Sequence, residues 1–226
     1  MATLVQRKTS FSDSATTTMA ATFDSATTSG NVIIVKVSID KAAGTITTPS
    51  GFTSILAYNA TSVSGAMSYK SADGTETTIT YTTANARMYQ MCIEEWADVG
   101  AFDVSATANS GGTSVTSQSS GTTATTANAN SIAFAFFGSD SRGGTDAGVA
   151  YTNSFVSDGV DPGGSSGAGN AGYYAANKTL TSTGTQTTTF STTGGGDQMF
   201  GVIAVFADTG GGGGPAGNAH YYMRNQ

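Results

Sequence analysis

Four short, nearly continuous apolar runs, at residues 32–39, 88–96, 131–137 and 199–206, stand between stretches rich in Gly, Ser, Asn and Asp. Runs of that length bounded by turn residues read as buried strands. A helix needs an apolar stripe at 3.6-residue spacing, and no such stripe occurs. In the third run Ile132, Phe134 and Phe136 take one face, and Ala133, Ala135 and Phe137 the other. Large on one side and mostly small on the other predicts a central strand whose second face meets a close neighbour or a subunit. Weaker alternating segments lie at 53–59, 65–71, 77–83, 102–108, 149–156, 172–180 and 185–192. At 77–82 the alternation points Ile79 and Tyr81 inward and leaves threonines outside. Asp73-Gly74, between residues 69–70 and 77–79, predicts a hairpin turn, because both residue types tolerate positive φ. The expectation is an all-β protein: an antiparallel β-sandwich, jelly-roll or Ig-like Greek key, with about ten to twelve strands and no substantial helix. No fixed repeat period is present, which disfavours a solenoid.

Composition agrees. Thr, Ser, Gly and Ala fill 127 of 226 positions, and charged residues only 11%. The length suits one large domain. We divide it into an N-terminal arm or first strand (1–20), a sandwich (21–209) and a tail (210–226). The tail opens on five glycines and ends with His220, Tyr221, Tyr222, Met223 and Arg224. It reads as a tether carrying a docking peptide, with a frayed terminus as the alternative. Residues 158–172 read as a long glycine-dense loop. The net charge of −6 gives no footprint for nucleic acid, and no segment reaches the length of a membrane span. Residues 1–12 carry Arg7 and Lys8 with no apolar stretch behind them, so no secretory signal is expected. Cys92 is the sole cysteine, which excludes an internal disulfide.

Motifs for chemistry mostly fail on context. Gly163-Gly164-Ser165-Ser166-Gly167 spells a hydrolase elbow, and residues 167–172 spell G-x-G-x-x-G. Neither has the strand before it and the helix after it that such motifs require. One histidine and one cysteine exclude the usual zinc sets. In residues 140–146 Arg142 sits between two aspartates, which favours an exposed loop over a calcium site. No metal or cofactor is expected. Glu94 and Glu95 are adjacent on a strand and leave opposite faces, so they cannot form a glycosidase pair. Glu94 shares a face with Trp96, and a second acid would have to come from another strand. No catalytic residue is assigned.

A surface of Thr, Ser, Asn and Gly in place of Lys and Glu loses little side-chain entropy when immobilised. It suits contact with many copies of a neighbour, or with glycans. Residues 21–35, with Thr28-Ser29-Gly30-Asn31 before the apolar strand, and then Thr48-Pro49-Ser50-Gly51-Phe52-Thr53, carry a resemblance. So do residues 65–70, the strand ending Glu95-Trp96, residues 127–132 and the closing strand at 200–207. In that order they resemble a β-sandwich module of bacteriophage structural proteins: head-decoration, head-fibre or tail-associated proteins. The resemblance implies binding and not catalysis. It also implies a virion location and virion partners such as a major capsid or tail protein. The leading expectation is an outer-capsid decoration or head-protrusion subunit, a homo-oligomer with a trimer as one expected form. One terminal arm, residues 2–11 or 217–226, would anchor it. The alternative is a tail-fibre or adhesin module that binds glycans through Tyr58, Trp96, Tyr173 and Tyr174.

Overall fold

The computed structural model describes residues 1–141, 148–160 and 171–209. Fourteen strands occur among them and no helix. In chain order they are β1 (Thr3–Thr22), β2 (Val32–Asp40), β3 (Ile46–Thr47), β4 (Thr53–Asn59) and β5 (Val63–Ser71). Then come β6 (Thr78–Ala97), β7 (Val99–Asn109), β8 (Ser117–Ser119), β9 (Asn130–Ser139) and β10 (Ala150–Tyr151). The last are β11 (Val156–Ser157), β12 (Gly172–Thr181), β13 (Thr189–Ser191) and β14 (Met199–Asp208). The protein is an antiparallel β-sandwich. One sheet runs β1-β6-β2-β5-β4, with β3 beside β6; the second runs β11-β12-β9-β14-β7. Asp98, at φ 60°, is the one-residue corner that carries the chain from β6 in the first sheet to β7 in the second.

The core between the sheets comes from strict alternation. Val32 and Ile34 of β2, Val63 and Met67 of β5, and Cys92 and Trp96 of β6 face Ile132, Phe134 and Phe136 of β9 and Phe200, Val202, Ala204 and Phe206 of β14. The outer faces of both sheets are covered too, so the molecule has four layers. β1 and β6 form an antiparallel ribbon too long for the sheet. Register shifts between Ser12 and Thr18 let its distal half turn back over the outer face. There Met19, Ala21, Phe23, Ile79 and Tyr81 cover Ile33, Val35 and Val37, and the Tyr81 hydroxyl donates to Ser68 Oγ on β5 at 2.5 Å. On the other side a small sheet, β10-β13-β8, closes over Ala133, Ala135 and Phe137 through Phe190, which stacks on Tyr174 at 4.3 Å. The small face of β9 therefore meets a close neighbour within its own chain.

Four sequence expectations change. Asp73-Gly74 does turn, with Gly74 at φ 92°, but β5 and β6 are not a hairpin, because β2 lies between them. Lys70 pairs with Asp73 and Glu76 across that turn and holds it locally. Residues 149–156 are not one strand: a turn at 152–155, with Asn153 and Ser154 at positive φ, splits them into β10 and the start of β11. Only Thr189–Ser191 of residues 185–192 is strand. Residues 2–11 are not a free arm, since from Thr3 onward they pair with β6. The ammonium of Met1 lies 3.3 Å from Asp208 Oδ1, and the Ala2 amide donates to Asp208 Oδ2 at 3.1 Å, so β1 begins beside the end of β14.

Candidate functional site

The alternation of β2 that sends Val32 and Ile34 inward also sends Lys36 inward, and that of β6 sends Glu94 inward between Cys92 and Trp96. Both are buried completely. Lys36 Nζ lies 3.0 Å from Glu94 Oε2, which also accepts from Trp96 Nε1 at 3.0 Å. Arg7 reaches in from β1 and holds Glu94 Oε1 from Nε at 2.9 Å and Nη2 at 2.8 Å. The fourth member is Asp158, just after β11 at the edge of the second sheet. Its Oδ2 lies 3.6 Å from Lys36 Nζ and 4.0 Å from Arg7 Nη2, and its carbonyl accepts from Arg7 Nη1 at 3.1 Å. Two cations and two anions thus close a neutral cluster between the sheets. Phe134 lies beneath the ammonium, its ring centre 5.7 Å from Nζ.

The two carboxylates are held differently. Burial disfavours the charge on Glu94, but Lys36, Arg7 and Trp96 outweigh it, and its carboxyl is held below the usual range. Burial also dominates at Asp158. Lys36 and Arg7 offset it only in part, Glu94 repels it, and its carboxyl is raised. Asp158 Oδ2 accepts no hydrogen bond. Burial would lower the Lys36 ammonium, but Glu94 and Asp158 together raise it. Beside the cluster burial pushes the Cys92 thiol up, and with it the hydroxyl of Tyr173, which lies against that thiol. A buried ion pair needs its charges matched, because removing charge from water costs several kcal/mol per ion, on the order of what the pairing returns.

Sequence reasoning places Glu94 and Trp96 on one face, and the structure joins them through the indole N–H. Glu95 does leave the other face, accepting from Gln6 Nε2, Thr28 N and Asn31 Nδ2. The second acid that converges on Glu94 is Asp158; both are sealed in the interior, with no approach for a sugar. The aromatic candidates for glycan contact need correction. Trp96 and Tyr173 belong to the core between the sheets, and Tyr174 lies under Phe190. Tyr58 is half-buried, its ring 5.4 Å from Phe200. Trp96, Tyr173 and Tyr174 offer no free ring face, and of the four only Tyr58 keeps part of its side chain exposed. The candidate docking residues His220, Tyr221, Tyr222, Met223 and Arg224 lie outside the described residues, as do the Gly163–Gly167 motif and most of the G-x-G-x-x-G match. Among the described residues no group of three or more metal-ligating side chains converges. No helix there is long and apolar enough to cross a membrane.

Two surfaces stand out instead. On the distal half of the β1–β6 ribbon, with Met19, Ala21, Ile79 and Tyr81 turned inward, the outward positions are Thr18, Ala20 and Thr22 paired with Thr82, Thr80 and Thr78. Five of the six are threonine, none is charged, and the Thr22 and Thr78 hydroxyls are 3.0 Å apart. Along β1 itself, one edge pairs with β6 and no described strand takes the other. Val5 and Phe11 are exposed on this strand, at 49% and 46%. No family model matches the chain, and no curated protein or solved structure matches it at a significant level.

Proposed function

We propose that the chain is a structural subunit of a virion, an outer-capsid decoration or head-protrusion protein that works by assembly and not by catalysis. The observation that carries this reading is the uncharged threonine face of the β1–β6 ribbon beside the open edge of β1. Threonines already fixed on a sheet lose little entropy on contact, and they offer hydroxyls to a neighbouring backbone. A 20-residue edge strand that exposes Val5 and Phe11 is an invitation to pairing, blunted only in part by Lys8 and by the register shifts between Ser12 and Thr18. The order of turns and strands that resembles phage structural modules points the same way. The interior is devoted to rigidity: both sheets are covered on both faces, and the buried charges neutralise one another. Glycan binding by a tail-fibre module has less support, because three of the four rings it needs, Trp96, Tyr173 and Tyr174, are buried.

Light scattering on the purified full chain tests the assembly half of the proposal. A discrete oligomer at micromolar concentration is expected, and a monomer at every concentration overturns it. Protein content of particles purified from lysed producer cells tests the virion half. The chain is expected at a fixed copy ratio to the major shell protein, and its absence from those particles overturns that reading.

A further inference from the structure

We propose that Lys36 and Asp158 condense into an intramolecular amide bond between the two sheets, with Glu94 as the catalytic residue that moves the protons. The reasoning starts from placement. An amine nucleophile and a carboxyl carbon are held together in a site where Lys36 is 1% exposed and the Asp158 side chain 2%. Nζ stands 3.6 Å from Asp158 Oδ2, an oxygen on the carbon it would attack, so the pair is already held together. Asp158 is held on one side only: Oδ1 accepts from the Val160 amide at 3.0 Å and Oδ2 accepts no hydrogen bond, so its carbon is the less protected of the two acids. Glu94 is the reverse. It is anchored from two sides by Arg7 and Trp96, and its Oε2 lies 3.0 Å from the same Nζ. One carboxyl is positioned to be attacked and the other to serve as base and then acid.

The step balances without any further reagent. Glu94 Oε2 takes one proton from the Lys36 ammonium, and the freed lone pair adds to Asp158 Cγ, forming the C–N bond. As the tetrahedral adduct collapses, the Cγ–O bond breaks. The oxygen leaves as water with two protons, one relayed by Glu94 and one from Nζ, and Glu94 returns to its ionised state against Arg7. An ammonium and a carboxylate become an amide and a water, with no change of oxidation state. In bulk water that equilibrium lies toward hydrolysis. In a sealed, apolar site the ion pair is penalised by desolvation and the neutral amide is not, so the balance shifts toward the bond. Phe134 under Nζ, with Trp96 and Tyr173 around it, provides that environment. The Cys92 thiol and Tyr173 hydroxyl are kept protonated by burial and do not compete for the carbon.

The test is the intact mass of the folded full chain, measured under denaturing conditions, followed by protease mapping. The expected result is a mass one water below that of the sequence, with the peptide containing Lys36 joined to the peptide containing Asp158. Asp158→Asn should give the same final mass as the wild type, because it loses ammonia where the wild type loses water and forms the same covalent product. Glu94→Gln should slow bond formation on the order of 100-fold and leave mostly unlinked chain. Lys36→Arg should retain the full sequence mass. A wild-type mass equal to that of the sequence, or a water lost at any other position, overturns the proposal. The wild-type result stands whether or not a variant folds.

Discussion

Asp197 shows how one badly placed carboxylate sets a pH dependence. Its side chain is buried beside Asp140, Oδ2 has no partner, and burial and the Asp140 charge push its carboxyl up to about 6. In the unfolded chain an aspartate titrates near ~3.9. The folded state therefore holds the proton more tightly between those two values. Asp197 costs nothing below about pH 4, and its cost grows as pH rises through about 6 and is then constant. Asp197→Asn removes that cost. It is expected to raise stability at pH 7 by about 1 kcal/mol, after discounting for solvent screening, and to leave stability at pH 4 nearly unchanged. Urea denaturation of both proteins at the two pH values measures the difference. An equal change at both pH values would mean that shape, not charge, is responsible. At this scale the sequence was only half legible. Glu94 stood out because it shares a face with the only tryptophan. Arg7, Lys36 and Asp158 did not, because they arrive from distant segments and only the folded register joins them.

At the scale of elements, the sandwich closes most tightly where Phe200 of β14 lies between Gly65 of β5 and Gly138 of β9. A Cβ at either glycine would run into the Phe200 ring, and at Gly65 it would also meet Val37 O at 2.7 Å. Gly65→Ala and Gly138→Ala are each expected to destabilise by about 3 kcal/mol, the upper end of the usual cost of overpacking. Chemical denaturation checks this, and a loss under half of that would mean the ring can move aside. The threonine face predicts the opposite pattern. Thr78→Lys, Thr80→Lys and Thr82→Lys combined should change stability by no more than about 0.5 kcal/mol per site, since the side chains are exposed. The same variant should lower the mass seen by light scattering, through charge repulsion at the contact. Strands buried on both faces were readable from apolar runs: β2, β9 and β14 appear within a residue or two of expectation. β1 was readable only as an arm or first strand at 1–20, because an edge strand with one polar side mixes Arg7, Lys8 and Asp13 with threonines and shows no clean alternation. The third sheet was hidden for another reason. Its strands are two or three residues long and take their place from the small residues beneath them, such as Ala133 and Gly201, not from their own pattern.

Over the whole molecule, stability and attachment separate. Four layers, three apolar clusters and a neutral charge cluster lie within residues 1–209, whereas the pentaglycine and the aromatic ending come after them. Deleting residues 210–226 is therefore expected to leave the thermal melting temperature within a few degrees of the full chain while abolishing incorporation into particles. Calorimetry and particle composition are the two readouts, and normal incorporation would refute the tether. The meeting of Met1 with Asp208 has a further consequence. Because the first residue and the end of β14 share one pole, replacing residues 210–226 by a few residues from Thr209 to Met1 would close the backbone into a ring. New ends could then be opened at the solvent-facing Asp73-Gly74 turn without cutting a strand. Such a circular permutant would leave the β1–β6 ribbon, both sheets and the buried cluster covalently whole, and residues 210–226 appended at a new end would move the point of attachment to a different place on the surface.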